Sequence, residues 1–166
     1  RVTLVTIHVA LKDVSRLLTS SAILDKIRLT DEFLRCRLKL KRPKIAVAAL
    51  NPHGEETGDE ERTVIGPAVK AAQKGGVDAS GPFPADVLFH EADRGRWDAV
   101  VAMYHDQGLG PFKMVSFHDG VNVTLGLPYV RTSPDHGTAY DIAYQNRADA
   151  SSMQAALDRA REWTVR

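Results

Sequence analysis

The sequence predicts an α/β fold with a mostly parallel sheet flanked by helices. Two observations carry that expectation. Residues 45–50, IAVAAL, and residues 99–103, AVVAM, are continuous apolar runs, the pattern of strands covered on both faces. Stretches with helical spacing of apolar residues alternate with such runs along the chain, as in α/β architectures.

Taken in order, residues 2–10 are rich in Val, Thr and Ile and read as a strand with His8 near its end. A short helical turn is expected over residues 11–19. Ser20 or Ser21 is expected to cap a helix running to about Leu40, with Ile23, Leu24, Ile27, Leu34 and Leu38 on its inner face. The basic run at 39–44, KLKRPK, offers a phosphate or nucleic-acid patch, but such runs are more often a solvated helix end that suits the negative end of the dipole. The strand at 45–50 ends in polar Asn51, Pro52, His53, Gly54 and Glu55. Asp59 is expected to cap a helix through Lys74, with Glu60 and Glu61 in its acidic first turn, Pro67 splitting or kinking it, and Gly75-Gly76 stopping it. Residues 77–84 read as extended, followed by a short helix from Pro84. Residues 97–103 are the third strand, 121–125 and 129–132 are short β segments, and 138–144 and 151–163 are expected helices. The last carries Met153, Ala156, Leu157 and Ala160 on one face.

Composition excludes several classes. The 166 residues suffice for one well-cored domain and barely for two. A formal net charge of +1 makes no electrostatic case for nucleic acid or an anionic membrane. No apolar run approaches the roughly 18–20 residues that span a bilayer. A single cysteine, Cys36, rules out an internal disulfide framework and fits a reducing, cytoplasmic setting. The chain begins on a strand-like run without Met or a signal cleavage site, and so reads as a piece of something longer.

The chemistry-bearing residues gather after the strands. His8, His53 and His105 each follow one. Three neutral imidazoles suit a divalent metal and leave a position open for a substrate oxygen, but they converge only if the strands are parallel. Asp106 would orient a histidine or take a proton, or simply cap a helix. Lys113, Asn122 and Arg131 would form a cationic, donor-rich pocket for a phosphate or carboxylate; as isolated residues they would be ordinary exposed groups. Asp135-His136-Gly137-Thr138-Ala139 is a loop entering an expected helix, where free N–H groups attract an anion. His90 and His118 read as surface residues. The Rossmann and P-loop fingerprints are absent, as is the hydrolase nucleophile elbow, and Cys36 falls in an amphipathic helix.

Five motifs then point to a family: Asn51-Pro52-His53; Gly81-Pro82-Phe83-Pro84-Ala85-Asp86; Met103-Tyr104-His105-Asp106-Gln107-Gly108; the run from Gly120 to Pro128; and the run from Arg131 to Ala139. Together they resemble the C-terminal half of 4-hydroxythreonine-4-phosphate dehydrogenases, with the resemblance covering essentially all of residues 1–166 and the N-terminal half absent. The resemblance implies an isocitrate/isopropylmalate dehydrogenase-like fold. It implies oxidation of 4-phosphooxy-L-threonine with decarboxylation to 3-amino-2-oxopropyl phosphate, in pyridoxine and pyridoxal phosphate biosynthesis. The alternatives are a paralogue acting on another four-carbon phosphorylated acid or a dihydrodiol carboxylate, a metal-dependent hydrolase, or a non-catalytic metal- and phosphate-binding fragment.

It further implies NAD or NADP as cofactor and a divalent metal (Zn, Mg, Co or Mn) on His8, His53 and His105, shared between the subunits of a homodimer. Lys113, Asn122 and Arg131 fall on substrate-binding positions. Asp135, His136, Gly137, Thr138, Ala139 and Asp141 fall on the loop that wraps the adenosine end of the cofactor. Lys113 and Asp106 are the candidate general bases, with Asp86 a supporting partner. Two departures stand out. The loop after Asn51-Pro52-His53 is shorter than in the family, and Tyr144-Gln145-Asn146-Arg147 replaces a glycine-rich turn.

Overall fold

A computed structural model describes residues 1–54 and 56–164; Glu55, expected in the polar end of the second strand, lies outside the described residues. The chain divides into two compact units, residues 1–112 and 113–166.

The first unit is a four-stranded parallel sheet of β1 (Val2–Leu4), β2 (Ile45–Ala48), β3 (Ala79–Phe83) and β4 (Ala99–Ala102), in the order β1-β4-β2-β3. Between β1 and β2 run a 3₁₀ turn (Leu11–Asp13), α1 (Val14–Leu17) and α2 (Ser20–Cys36). A π-helical segment (Glu61–Ile65) and α3 (Gly66–Lys74) lead to β3, and α4 (Ala85–Asp93) leads to β4. The continuous apolar runs arise because both sheet faces are covered. Ile45, Val47, Ala99 and Val101 face a core with Ile23, Ile27 and Leu34 of α2 and Ala68, Val69 and Ala72 of α3. Alternate residues Ala46, Ala48 and Val100 pack on the other face with Leu88 of α4.

That second face is lined by small residues, and α5 (His105–Val115) exploits it. A Cβ added to Gly108 would lie 2.6 Å from Leu4 Cδ2, 2.8 Å from Val2 Cγ1 and 3.1 Å from Ala102 Cβ. Only glycine lets the helix approach β1 and β4 this closely. On the edge strand β3, Gly81 has φ 133°, and a Cβ there would meet the Val47 carbonyl at 2.4 Å, where the β2–β3 register shifts.

Several boundaries differ from expectation. β1 is shorter than residues 2–10: its ladder to β4 continues through Val5 and Thr6, whose N–H groups donate to Ala102 and Met103, and then loses its partner as the chain of β4 turns into α5. Thr19, not Ser20 or Ser21, caps α2 by accepting from the Ala22 N–H, and α2 ends at Cys36 rather than Leu40. Asp59 contributes its backbone carbonyl, not a side-chain cap, to the start of the next helix. Pro67 stands in the first turn of α3, where the π-helical segment passes into α-helix with Ile65 and Gly66 both in right-handed helical backbone, so the helix changes its hydrogen-bond spacing there without a break.

The second unit holds an antiparallel pair, β5 (Val121–Val123) and β6 (Thr132–Pro134), against α6 (Ser151–Thr164). Thr132 Oγ1 donates to the Ala156 carbonyl, and buried Ser152 links the two, donating to the Gly120 carbonyl and accepting from the Asp135 N–H. On α6, Ala156 is buried but Met153 and Leu157 are exposed, so the inner face is rotated from the expected one towards Ser152. The helix expected over 138–144 is only a 3₁₀ turn, Tyr140–Ile142. Its flanks adopt left-handed backbone at Ala139 (φ 49°) and Tyr144 (φ 63°), and Tyr140 and Tyr144 are exposed, leaving almost no apolar face to stabilise a helix.

Replacing Gly108 with Ala should shift the urea midpoint downwards by the equivalent of about 1–3 kcal/mol with an unchanged denaturant slope. An unchanged midpoint would show that the α5–sheet contact relaxes freely.

Candidate functional site

In a parallel sheet all carboxyl ends share one edge, and ligands of such sheets bind in the crevice beyond it. β1, β4 and β2 therefore deliver their following segments to the same side. His8 lies four residues past β1, His105 opens α5 after β4, and His53 lies in the turn after β2. The His8 and His105 rings face each other with centroids 5.8 Å apart and planes tilted by 41°. His105 Nδ1 is 2.6 Å from Asp106 Oδ1. The Nδ1–H tautomer satisfies that contact and leaves Nε2 as a free acceptor, the arrangement in which a carboxylate orients a metal-binding imidazole. The Asp106 side chain is 89% exposed, so the contact orients the ring more than it stabilises the fold.

Buried polar groups hold the segments that carry the histidines. Thr6 Oγ1 donates to the Met103 carbonyl at 2.8 Å, tying the end of β1 to that of β4. Gln107, buried in the first turn of α5, accepts from Met103 N–H at 2.7 Å and donates to the Ala49 carbonyl at 2.6 Å, joining β4 to β2. Glu61 is fully buried. Its Oε1 accepts from the N–H groups of Leu50 and Asn51, both at 2.8 Å, and its Oε2 accepts from Asn51 Nδ2 at 2.9 Å. Glu60 accepts from the same amide at 2.8 Å and from Ser15 Oγ at 2.5 Å, and these bonds, Ser15's first, hold its carboxyl below the usual glutamate range.

In the second unit, Lys113 Nζ bonds to the Asp135 carbonyl and pairs with its carboxylate at 2.7 Å. Asn122 is opposite Ser133, and the Thr124 N–H donates to the Arg131 carbonyl, so Asn122 and Arg131 share the exposed face of the β5–β6 ladder. The Arg131 guanidinium donates to Thr124 Oγ1 at 2.8 Å. The loop after Asp135 is exposed and borders an open cleft of about 530 Å³ lined by His136, Thr138, Ala139, Ile142 and Tyr144. Asp141 accepts from Gln145 Nε2 through its backbone carbonyl.

The expected constellation is thus partly assembled. His8, His105 and Asp106 come together; among the described residues, no group of three or more His, Cys, Asp or Glu side chains is gathered closely enough to hold a metal ion within one chain. Asp86 is exposed in the first turn of α4. His90 and His118 are exposed, as expected. Sequence reasoning missed Gln107 and Glu61. Gln107 stands four residues after Met103, the spacing at which a side chain on a new helix turn reaches back to the strand end. Glu61, expected in an exposed acidic turn, is instead the most buried carboxylate of the site.

The described residues thus form an α/β protein with paired imidazoles at the carboxyl edge of its parallel sheet. The sequence profile of the family described as pyridoxal phosphate biosynthetic protein PdxA matches residues 1–160, and the chain belongs to that family. It is 59% identical over 165 residues to the 4-hydroxythreonine-4-phosphate dehydrogenase of Geobacter metallireducens, covering 98% of this chain and 48% of that one. The fold matches the crystal structure of 4-hydroxythreonine-4-phosphate dehydrogenase from Klebsiella pneumoniae with a TM-score of 0.89 at 43% identity, over 99% of this chain and 50% of that one. A terephthalate 1,2-cis-dihydrodiol dehydrogenase from Burkholderia xenovorans LB400 matches at 0.78 and 25% identity, over 100% and 53% of the respective chains. The chain spans about half the length of the curated relatives it matches.

The Glu60 contacts give a pH signature. A carboxyl with a lowered folded-state pKa stabilises fully above its unfolded value and loses that contribution as pH falls through the lowered one. The stability difference between the protein and its Glu60→Gln variant should therefore be constant near neutrality and shrink in the acid range below the ordinary glutamate pKa. A difference that is flat through acid pH would rule out ionised Glu60 as the acceptor.

Proposed function

We propose that this chain carries the metal-, substrate- and cofactor-binding part of a nicotinamide-dependent dehydrogenase. The substrate is 4-phosphooxy-L-threonine, oxidised at C3 with decarboxylation to 3-amino-2-oxopropyl phosphate. The observation that carries this reading is the facing His8–His105 pair, with Asp106 orienting His105, at the carboxyl edge of a parallel sheet. The names of the relatives supply the substrate.

The donor set fits a divalent ion. Neutral imidazoles with Nε2 free are good ligands for Zn²⁺ or Co²⁺ and less suited to Mg²⁺. His8, His105 and, from its turn, His53 would hold the metal, with the set shared between two subunits of a homodimer. A divalent ion held there would supply Lewis acidity towards the substrate hydroxyl, easing hydride loss from C3.

The remaining work falls to this chain's own side chains. Asp106 keeps His105 in the ligating tautomer. Lys113, Asn122 and Arg131 offer an ammonium, an amide and a guanidinium to the anionic groups of the substrate, fixing C3 relative to the nicotinamide. The loop of Asp135, His136, Gly137, Thr138, Ala139 and Asp141 borders the cleft that would take the adenosine end of NAD, or NADP. Asp106, or Lys113 as the neutral amine in place of its ammonium form, is the group that would accept the hydroxyl proton. The free, exposed thiol of Cys36 fits a cytoplasmic protein, and no described helix is long and apolar enough to cross a membrane.

Nicotinamide reduction should depend on both divalent metal and 4-phosphooxy-L-threonine. His105→Ala should abolish it together with metal binding, and Asp106→Asn should weaken metal affinity about 10–100-fold. Arg131→Met should raise KM about tenfold or more with a smaller effect on kcat, since a charge-assisted bond is worth about 1.5–3 kcal/mol. Turnover of a dihydrodiol carboxylate in place of the phosphorylated amino acid would overturn the substrate assignment. Full metal binding by His105→Ala would overturn the site.

A further inference from the structure

We propose that Glu61 is a positioning residue for His53, its buried carboxylate fixing the direction in which the His53 turn leaves the sheet edge; this rests on reading His53 as a metal ligand. β2 ends at Ala48. The Ala49 N–H still finds a strand partner, the Phe83 carbonyl, but the next two N–H groups, of Leu50 and Asn51, are beyond any strand and both donate to Glu61 Oε1 at 2.8 Å. Oε2 takes the Asn51 side-chain amide. Both carboxylate oxygens are thus spent on the two residues immediately preceding Pro52-His53.

A fully buried carboxylate is expensive unless its acceptors are filled. An apolar side chain would pack there at lower cost but would leave two backbone N–H groups unpaired. The surroundings are fitted to this exchange. Glu61 opens a π-helical segment, a local widening common at functional sites. Gly66 accommodates the displaced backbone, since a Cβ there would lie 2.9 Å from the Glu61 carbonyl. Gly58 leaves room for the Asn51 amide, which a Cβ would approach to 2.2 Å.

The turn being held is itself strained. His53 has φ 56° and Gly54 φ 77°, with the Gly54 N–H returning to the Asn51 carbonyl at 3.2 Å. Left-handed backbone at a residue with a Cβ costs about 1–2 kcal/mol and persists where its flanks are over-determined. Glu61 supplies that determination on the N-terminal side. Its hydrogen bonds go to Leu50 and Asn51, the residues before Pro52-His53, so its influence on His53 passes through the backbone.

The test uses Glu61→Met, Glu61→Gln, His53→Ala and, as a control for stability loss, Thr30→Val, which removes the half-buried hydroxyl contact between Thr3 of β1 and Thr30 of α2. Each is assayed by Co²⁺ titration, by the Co²⁺ d–d absorption spectrum at saturation, and by circular dichroism and thermal melting. Glu61→Met should bind Co²⁺ about 10–100-fold more weakly than the parent, in the range of lost orienting partners, with an altered d–d band and native circular dichroism. Glu61→Gln, whose amide oxygen still accepts both N–H groups while its NH₂ opposes Asn51 Nδ2, should fall between. Thr30→Val should melt earlier yet keep parental affinity and spectrum. Parental affinity and spectrum in folded Glu61→Met, with both lost in His53→Ala, would overturn the positioning role. Should Glu61→Met not fold, parental affinity and spectrum in Glu61→Gln would do the same. Parental Co²⁺ binding by His53→Ala would overturn the underlying reading of His53.

Discussion

β4 is hydrogen-bonded on both sides by parallel strands, and the histidine edge exists only because of that. Thr3 pairs with Val101 and Ile45 with Ala99, so both partners lie far upstream of β4 in the chain. Parallel neighbours must be reached through crossovers, and their pairing pays loop-closure entropy before any ladder bond is gained. His8 and His105, nearly a hundred positions apart, become neighbours only when β4 has docked. The site is therefore a property of the completed sheet and of no single hairpin or helix within it.

The central strands were legible in the sequence because they are covered twice. IAVAAL and AVVAM have no polar face to alternate, and the structure shows why: α2 and α3 lie on one side and α4 and α5 on the other. The parallel arrangement that makes His8, His53 and His105 share an edge followed from the same pattern. What periodicity could not show was where hydrogen bonding outlasts the apolar run. β1 stops early because its partner turns into a helix, and the 138–144 segment, helical by composition, has no surface to lie on. The rotation of α6 has a similar origin, since Ser152 is drawn inward by two hydrogen bonds that hydrophobicity does not register.

The side chains that frame the site were the least visible. A glutamate beside another glutamate reads as an exposed acidic turn, yet Glu60 and Glu61 diverge completely, one at the surface holding Ser15 and Asn51 and the other buried on backbone N–H groups. Glu60 is the residue before the π-helical segment and Glu61 its first, and successive positions on a helix point in different directions. In the second unit the Asn122/Arg131 face follows from strand alternation once β5 and β6 are paired, but the pairing partner could not be read from either short segment alone.

Gln107 has a consequence of its own. The cross-link between β4 and β2 beneath the histidines is a neutral amide, using one donor and one acceptor and carrying no proton to gain or lose. A carboxylate or imidazole in the position of Gln107 would bring its own titration into the scaffold. With an amide there, the cross-link that spaces the two strand ends has no charge to gain or lose. The frame beneath His8 and His105 is held by hydrogen bonds that pH leaves alone.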